Sequence, residues 1–181
     1  MFLEIIETKS NDVTRENANI IEIDIVDSIS GINVSFWCQG CLFHCPHCHN
    51  PQTWDLNGGQ ELPLDYKEII LELLHKNGID RGLSILGGEP LLEQNRQIVS
   101  DLVDYIKDKS PNTIIYLWSG FTYKELKKSK DLRIKNILSK IDYFIDGLYD
   151  ESKRDTTLKL RGSSNQNVYQ KIKGKLKRIN I

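Results

Sequence analysis

The sequence lacks an excess of charge of either sign. Its 24 Lys and Arg side chains nearly balance its 25 Asp and Glu side chains, which gives a formal net charge of -1 at pH 7. A protein that binds nucleic acid or an anionic membrane through its overall electrostatic field needs a basic surplus. We therefore expect neither nucleic acid nor a membrane as a partner, and other partners have to be inferred from local features.

The sequence also lacks a long run of apolar residues at its start. Acidic residues interrupt the apolar ones in MFLEIIE, which leaves neither the core of a signal peptide nor a membrane-spanning segment. We expect a cytoplasmic protein. The chain of 181 residues has no internal repeat or low-complexity segment. A chain of this length buries one ordinary core, so residues 1–181 are predicted to form a single domain.

Cysteine is absent outside one short stretch. All four cysteines and three of the four histidines fall within residues 38–50, CQGCLFHCPHCHN. Because cytosolic thiols stay reduced, clustered cysteines there indicate metal binding rather than disulfides. Cys41, Cys45 and Cys48 follow the spacing CxxxCxxC. Three such thiolates can hold three irons of a 4Fe-4S cluster and leave the fourth iron without a protein ligand.

A structural zinc site that uses all four cysteines is the alternative. Zinc ribbons usually separate their two cysteine pairs by about 15 to 20 residues, a spacing that this chain does not have. Cys38 is then the odd thiol, and we expect a small buried or half-buried residue near the cluster. If Cys38 were instead a fourth ligand, the site would be closed, as in an electron-transfer or structural metal module.

Apolar periodicity predicts alternating strands and helices. Strands are expected at residues 20–26, 33–37, 83–86, 113–118 and 141–146, and helices within residues 69–78, 91–106 and 123–138. Strands separated by helices favour parallel pairing in an α/β fold. Ligands are then expected at the carboxyl ends of the strands. Four loops follow strands in this way: the cysteine loop, Gly87-Gly88-Glu89-Pro90, Ser119-Gly120 and Gly147.

The Gly87-Gly88-Glu89-Pro90 segment has two interpretations. Two glycines and a proline suit a plain turn from a strand into a helix. Adjacent glycines also let backbone carbonyls approach a ligand closely, which suits an ammonium group that needs several acceptors. The cysteine loop nearby favours the ligand-binding interpretation.

CxxxCxxC followed by Gly-Gly-Glu-Pro after the next strand resembles radical S-adenosylmethionine (SAM) enzymes. Within them, QGC at 39–41, CHNPQTWD at 48–55 and GG at 58–59 are similar to the activators of glycyl radical enzymes. WSGFTYKEL at 118–126 and RGSSNQ at 161–166 resemble the family of anaerobic ribonucleoside-triphosphate reductase activases. The resemblance runs from about residue 20 to residue 166.

The resemblance implies a fold and an activity. The fold is an incomplete parallel (β/α) barrel of the radical SAM type. The activity is that of an oxidoreductase, an activase that reductively cleaves SAM at a 4Fe-4S cluster on Cys41, Cys45 and Cys48. The 5'-deoxyadenosyl radical then generates a glycyl radical on anaerobic ribonucleoside-triphosphate reductase. The alternatives are another target, such as pyruvate formate-lyase, or a non-catalytic iron–sulfur electron-transfer module.

The resemblance also implies cofactor contacts. Gly87, Gly88 and Glu89 back the amino group of SAM. The adenosine side is lined by His47, Cys48 and His49. Ser119 and Asp146 are candidates for ribose or carboxylate contacts, with a role as strand-end cap or turn residue as the alternative for each.

The implied partners are proteins. They are the glycyl radical subunit of the reductase, reduced flavodoxin or a similar electron donor, and a second copy of the chain in a homodimer. Residues 171–178, KIKGKLKR, carry five positive charges. We expect these charges to be solvated, with a docking patch for an acidic partner surface as the alternative.

Overall fold

The structure is a computed structural model that describes residues 13–24, 28–29 and 31–181. The interrupted apolar stretch at the N terminus and the last two residues of the predicted strand at 20–26 lie outside the described residues.

Eight strands and four α-helices are found among these residues. The strands are β1 (Val13–Asp24), β2 (Asn33–Cys38), β3 (Glu61–Pro63), β4 (Gly82–Gly87), β5 (Ile115–Ser119), β6 (Tyr143–Asp146), β7 (Asn167–Ile172) and β8 (Lys175–Ile179). The helices are α1 (Tyr66–His75), α2 (Arg96–Lys109), α3 (Tyr123–Leu126) and α4 (Leu132–Lys140). Short 3₁₀ turns lie at Pro51–Thr53, Lys76–Gly78 and Glu151–Lys153.

All eight strands belong to one sheet, in the order β3-β1-β2-β4-β5-β6-β7-β8. The central strands β2, β4, β5 and β6 pair in parallel. The flanking pairs, β1 with β2 and β3 on one side and β7 with β6 and β8 on the other, are antiparallel. The predicted α/β class and the parallel pairing of strands that helices separate are both confirmed.

The main core lies between the sheet and the helices. Apolar side chains on α1, α2 and α4, such as Ile70, Leu102 and Ile137, pack against alternate residues of the central strands, such as Ile85 and Leu117. Because successive strand residues point to opposite faces, the neighbours of Leu117 lie on the other face of the sheet. These other-face residues include a stack of Tyr116 on Tyr143, with ring centroids 4.7 Å apart.

Helix α2 begins at Arg96, so the predicted start at residue 91 was wrong. Residues 90–95 form turns instead. The backbone N–H of Leu92 donates to Glu89 O at 3.0 Å and that of Asn95 to Leu92 O at 2.9 Å, which are bonds between residues three apart, as in turns. Leu91 is fully buried, so its contribution to the apolar pattern came from the core and not from a helical face.

Residues 171–178 form most of a β-hairpin. Lys173 and Gly174 make its turn, with φ angles of 51° and 75°. Leu176 is buried, whereas the charged residues of β8 are exposed, as expected for solvated charge. No helix within the described parts of the chain is long and apolar enough to cross a membrane.

Candidate active site

The cysteine loop leaves the end of β2 and folds back on itself. Gly40, at φ 96°, lets the chain turn sharply. The backbone N–H of Gly40 then donates to Thr53 O at 2.8 Å, and that of Cys41 donates to Trp54 O at 3.1 Å. These two bonds close the loop that carries the three CxxxCxxC thiols.

Two buried amides fix this loop from inside. The Gln39 side chain donates to Asp55 O at 2.7 Å and to Gln52 O at 3.2 Å. The Asn95 side chain, from the turn before α2, donates to Gln39 O and to Glu89 O, both at 2.9 Å. Sequence reasoning missed Asn95. The feature of the sequence that could have indicated Asn95 was a polar residue inside an apolar pattern.

The glycine pair at the end of β4 brings two backbones into contact. Gly88 N–H donates to Cys38 O, and Glu89 N–H donates to Gly40 O, both at 2.8 Å. A Cβ on Gly88 would lie 2.5 Å from Gly40 O, and one on Gly87 would lie 2.6 Å from Cys38 O. Glycine is therefore required here for the cysteine loop to reach β4.

A cavity of about 490 Å³ lies at the carboxyl ends of the parallel strands. Its walls are the cysteine loop, the turn after β4, the ends of β5 and β6, and residues 154–166. The predicted site residues in this lining are Cys41, Cys45, Cys48, His49, Gly87, Gly88, Glu89 and Ser119. The predicted location of the ligand site, at the carboxyl ends of the strands, thus coincides with a cavity.

The three thiols differ in exposure but share one environment. Cys41 is buried, and Cys45 and Cys48 are half-buried. Burial raises the pKa of Cys41 and of Cys45, and each is raised further by a neighbouring cysteine of the motif.

Backbone N–H groups oppose the effect of burial on these sulfurs. Those of Phe43 and His44 lower the Cys41 pKa, and that of Tyr149 lowers the Cys45 pKa. The N–H of Asn50 donates to Cys48 Sγ at 3.4 Å. Hydrogen bonds to each sulfur stabilise thiolates, so the donor set fits an iron–sulfur cluster.

No group of three or more His, Cys, Asp or Glu side chains among the described residues is arranged to hold a metal ion. A cubane cluster bonds one thiolate per iron, so its ligands do not converge on a single point. Cys38 lies in the main core and is 1% exposed. The prediction that it is a small buried residue is confirmed.

Glu89 joins the ends of β4 and β5 beside the cavity. Its Oε1 accepts hydrogen bonds from Leu91 N–H and Ser119 Oγ, both at 2.8 Å, and its Oε2 accepts from Gly120 N–H at 2.7 Å. Burial raises the pKa of Glu89 to about 7, against the effect of these hydrogen bonds. The hydroxyl hydrogen of Ser119 is therefore already used in its hydrogen bond to Glu89.

Two predicted cofactor-binding residues lie outside the lining described above, His47 and Asp146. His47 is exposed in the cysteine loop, with φ at 57°. Asp146 is buried, and its carboxylate accepts from Tyr123 N–H and from the Asn167 side chain, both at 2.7 Å. Asp146 thus serves as a cap between β6, α3 and β7.

The remaining wall is a loop pinned to the ends of β5 and β6. Trp118 Nε1 donates to Leu160 O at 2.7 Å. Gln166 Nε2 donates to Gly147 O at 2.9 Å, and Gln166 Oε1 accepts from Gly162 N–H at 3.0 Å. This wall brings Arg161 to the cavity.

A family model described as the 4Fe-4S single cluster domain matches residues 30–169. The chain belongs to this family. The match contains the whole cysteine loop and every predicted site residue. It supports an iron–sulfur cofactor for the chain.

Curated relatives of this 4Fe-4S family protein share one name, anaerobic ribonucleoside-triphosphate reductase-activating protein. The relative from Enterobacteria phage T4 is 34% identical over 145 residues, which cover 80% of this chain and 87% of the relative. The relative from Vibrio cholerae is 33% identical, over 82% of this chain and 93% of the relative. The relative from Escherichia coli K12 is 32% identical, over 81% of this chain and 93% of the relative. The predicted resemblance to the reductase activases is confirmed.

Proposed function

We propose that this chain activates anaerobic ribonucleoside-triphosphate reductase by generating a glycyl radical on it. The observation that carries the proposal is that the three CxxxCxxC thiols and the Gly87–Glu89 turn line one cavity. The name that the relatives share supports this reductase, through its glycyl radical subunit, as the target.

We assign a 4Fe-4S cluster to Cys41, Cys45 and Cys48, and SAM to the rest of the cavity. A volume of about 490 Å³ falls in the range of about 300–1,000 Å³ that is usual for small-molecule sites. When bound, these cofactors would supply one-electron reductive cleavage of the sulfonium bond, which would yield methionine and a radical able to take hydrogen from a glycine Cα of the reductase.

The chain's own residues bind and orient these groups. Backbone N–H groups donate to the three sulfurs and would support them as cluster ligands. Gly87 and Gly88 present carbonyl oxygens to the amino group of SAM, and Glu89 Oε2, with one hydrogen bond from Gly120, keeps a lone pair for it.

The other predicted site residues take less direct roles in this proposal. Cys48 and His49 line the adenosine side, and the exposed His47 flanks it. Ser119 and Asp146 act as positioning residues, because Ser119 holds Glu89 and Asp146 holds the first residue of α3.

The proposal extends to fold and partners. The four central parallel strands would form part of an incomplete barrel of the radical SAM type, in a single domain over residues 1–181. The cavity would admit the glycine-bearing segment of the reductase. Reduced flavodoxin or a similar carrier would deliver the electron, and the chain would work as a homodimer.

The test is anaerobic reconstitution with iron and sulfide, followed by dithionite, SAM and the reductase. We expect cluster-dependent 5'-deoxyadenosine by chromatography and a glycyl doublet in the reductase by electron paramagnetic resonance. Cys45→Ala is the negative control. A doublet on pyruvate formate-lyase but not on the reductase would change the target. A correctly loaded cluster that gives no product with either partner would favour an electron-transfer module.

A further inference from the structure

The cavity contains both acidic and basic groups. Glu89 lies on the side of the cysteine loop and the β4 turn, and the Lys and Arg residues of the described lining are Arg154 and Arg161. A ligand that carries both an ammonium and a carboxylate suits such a cavity, because each group finds a partner of opposite charge.

Arg161 has hydrogen-bonding capacity left over. A guanidinium carries five N–H donors. One Nη donates to Gln166 O at 3.2 Å, and the other donates to Ile181 O at 3.1 Å. Nε is buried and has no hydrogen-bond partner in the described structure. Because protein atoms cover Nε, a ligand does not reach it. Each Nη carries two N–H groups and uses one of them in these bonds, so two N–H groups are left for a bound anion.

Arg154 differs from Arg161 in its surroundings. It is exposed, at the outer part of the same lining. An exposed guanidinium is already hydrated, so it gains little from a ligand. Arg161 is half-buried and held in place by two backbone oxygens, which makes it the better-prepared cation.

We propose that Arg161 binds the carboxylate of SAM, with the remaining N–H groups of its two Nη atoms as paired donors. This inference rests on the proposed function and names the residue that fixes the amino-acid end of the cofactor. A planar guanidinium and a carboxylate match in such a two-donor geometry. Arg161 is then a binding and positioning residue, and takes no part in proton or electron transfer.

The test compares two ligands on the cluster-loaded protein, SAM and its decarboxylated form, by anaerobic equilibrium dialysis. We expect Arg161→Gln to weaken binding of SAM by about 10- to 100-fold, because a buried charge-assisted pair is lost. Binding of the decarboxylated form should change by less than about twofold, since that ligand has no carboxylate to lose. Arg161→Lys should fall between wild type and Arg161→Gln for SAM.

Arg154→Gln is the matched control, since it removes the same charge from the same cavity, and we expect SAM affinity to stay within about threefold of wild type. Iron content and circular dichroism verify that each variant is loaded and folded. If Arg161→Gln does not fold, Arg161→Lys provides the same comparison of ligands.

Three results would overturn the inference. They are unchanged SAM binding by Arg161→Gln, an equal loss of both ligands, and a loss of SAM confined to Arg154→Gln. If the wild-type protein carries its cluster but does not bind SAM, the proposed function itself fails, and this inference fails with it.

Discussion

At the scale of single residues, backbone contact decides the geometry of the site. Spacing alone singled out Cys41, Cys45 and Cys48, which line one cavity in the structure, and adjacent glycines predicted the turn after β4. The partners of Asp146 could not be predicted, because Tyr123 and Asn167 approach it only once β6, α3 and β7 have assembled. Asn95 was missed for the same reason. One of its acceptors, Gln39 O, is distant in the sequence, and the other, Glu89 O, belongs to the turn after β4.

Gly88→Ala should separate the cysteine loop from β4. Its Cβ would lie 2.5 Å from Gly40 O and 2.9 Å from Thr53 O, so the backbone has to move. We expect a loss of about 1–3 kcal/mol in the free energy of unfolding and poorer iron retention after reconstitution. Urea unfolding and iron analysis measure the two effects.

Gly174→Ala is the control for that substitution. A Cβ there meets no atom within 4 Å, although φ is 75°. It should cost about 1 kcal/mol through backbone strain and leave iron retention unchanged. If both variants kept iron equally well, the glycine contact would have no role in the site.

Glu89→Gln should change how stability depends on pH. Burial raises the pKa of Glu89 from 4.5 to about 7, so between these values the folded protein holds a proton that the unfolded chain releases. The contribution of Glu89 to the free energy of unfolding is therefore greatest below pH 4.5. As the pH rises to 7, the wild type loses on the order of 3 kcal/mol of this contribution.

The measurement is urea unfolding of the cluster-free protein at several pH values from 4.5 to 8. The difference between wild type and Glu89→Gln isolates this group, because all other titrating residues are common to both. A difference that does not vary with pH would mean that folding does not raise the pKa of Glu89.

At the scale of elements, burial explains which predictions succeeded. Strands β2, β4, β5 and β6 lie in the middle of the sheet, so apolar side chains mark them strongly in the sequence. Strands β7 and β8 were missed because exposed lysines dominate residues 171–178, where Leu176 is the buried residue, and because Val168 and Tyr169 alone give β7 too short an apolar pattern. Lysines are common on exposed edge strands, where they discourage pairing with other chains.

Lys173→Asn should stabilise the β7–β8 hairpin. Ile172 pairs with Lys175 across a two-residue turn, and both turn residues, Lys173 and Gly174, have positive φ. Asn adopts this conformation more readily than Lys and is favoured before Gly in such turns. We expect a gain of about 0.5–1 kcal/mol in thermal or urea unfolding.

Lys177→Asn is the control for the hairpin. It removes the same charge from an exposed position within β8, where Asn is a poor strand residue. We expect no gain in stability. An equal gain in both variants would assign the effect to charge rather than to turn conformation.

At the scale of the whole molecule, the position of the site followed from the alternation of strands and helices. Parallel strands end at one edge, and the cavity lies there. The antiparallel pairing on both flanks was beyond sequence reasoning, because no α-helix separates β1 from β2 or lies between β6, β7 and β8, and the rule that predicts parallel pairing does not apply to such segments. The near balance of charge leaves recognition of a partner to local surfaces.

Cluster removal should lower the stability of the folded protein as a whole. A group that binds only the folded state stabilises it, and for a chain of this size each kcal/mol shifts the melting temperature by about 2–4 °C. We expect the melting temperature of the reconstituted protein to exceed that of the cluster-free form by at least about 2–4 °C. Anaerobic calorimetry measures this difference.

Two cysteine variants check the origin of that shift. Cys45→Ala should abolish it. Cys38→Ser should keep it, although burying a hydroxyl in the core lowers the melting temperature of both forms. Loss of the cluster in Cys38→Ser would indicate a four-cysteine site.

The hydrogen bonds that tie the cysteine loop to residues 53–54, to Gln39 and to the turn after β4 involve no metal. The backbone around the three cysteines is therefore ordered when the chain folds, and if they bind the proposed cluster, assembly of iron and sulfide there would mainly have thiol rotamers to fix. Assembly of the cluster would then be a late step that follows folding of the chain. A protein stripped of its cluster by air, with its thiols reduced again, would be rechargeable without passing through the unfolded state.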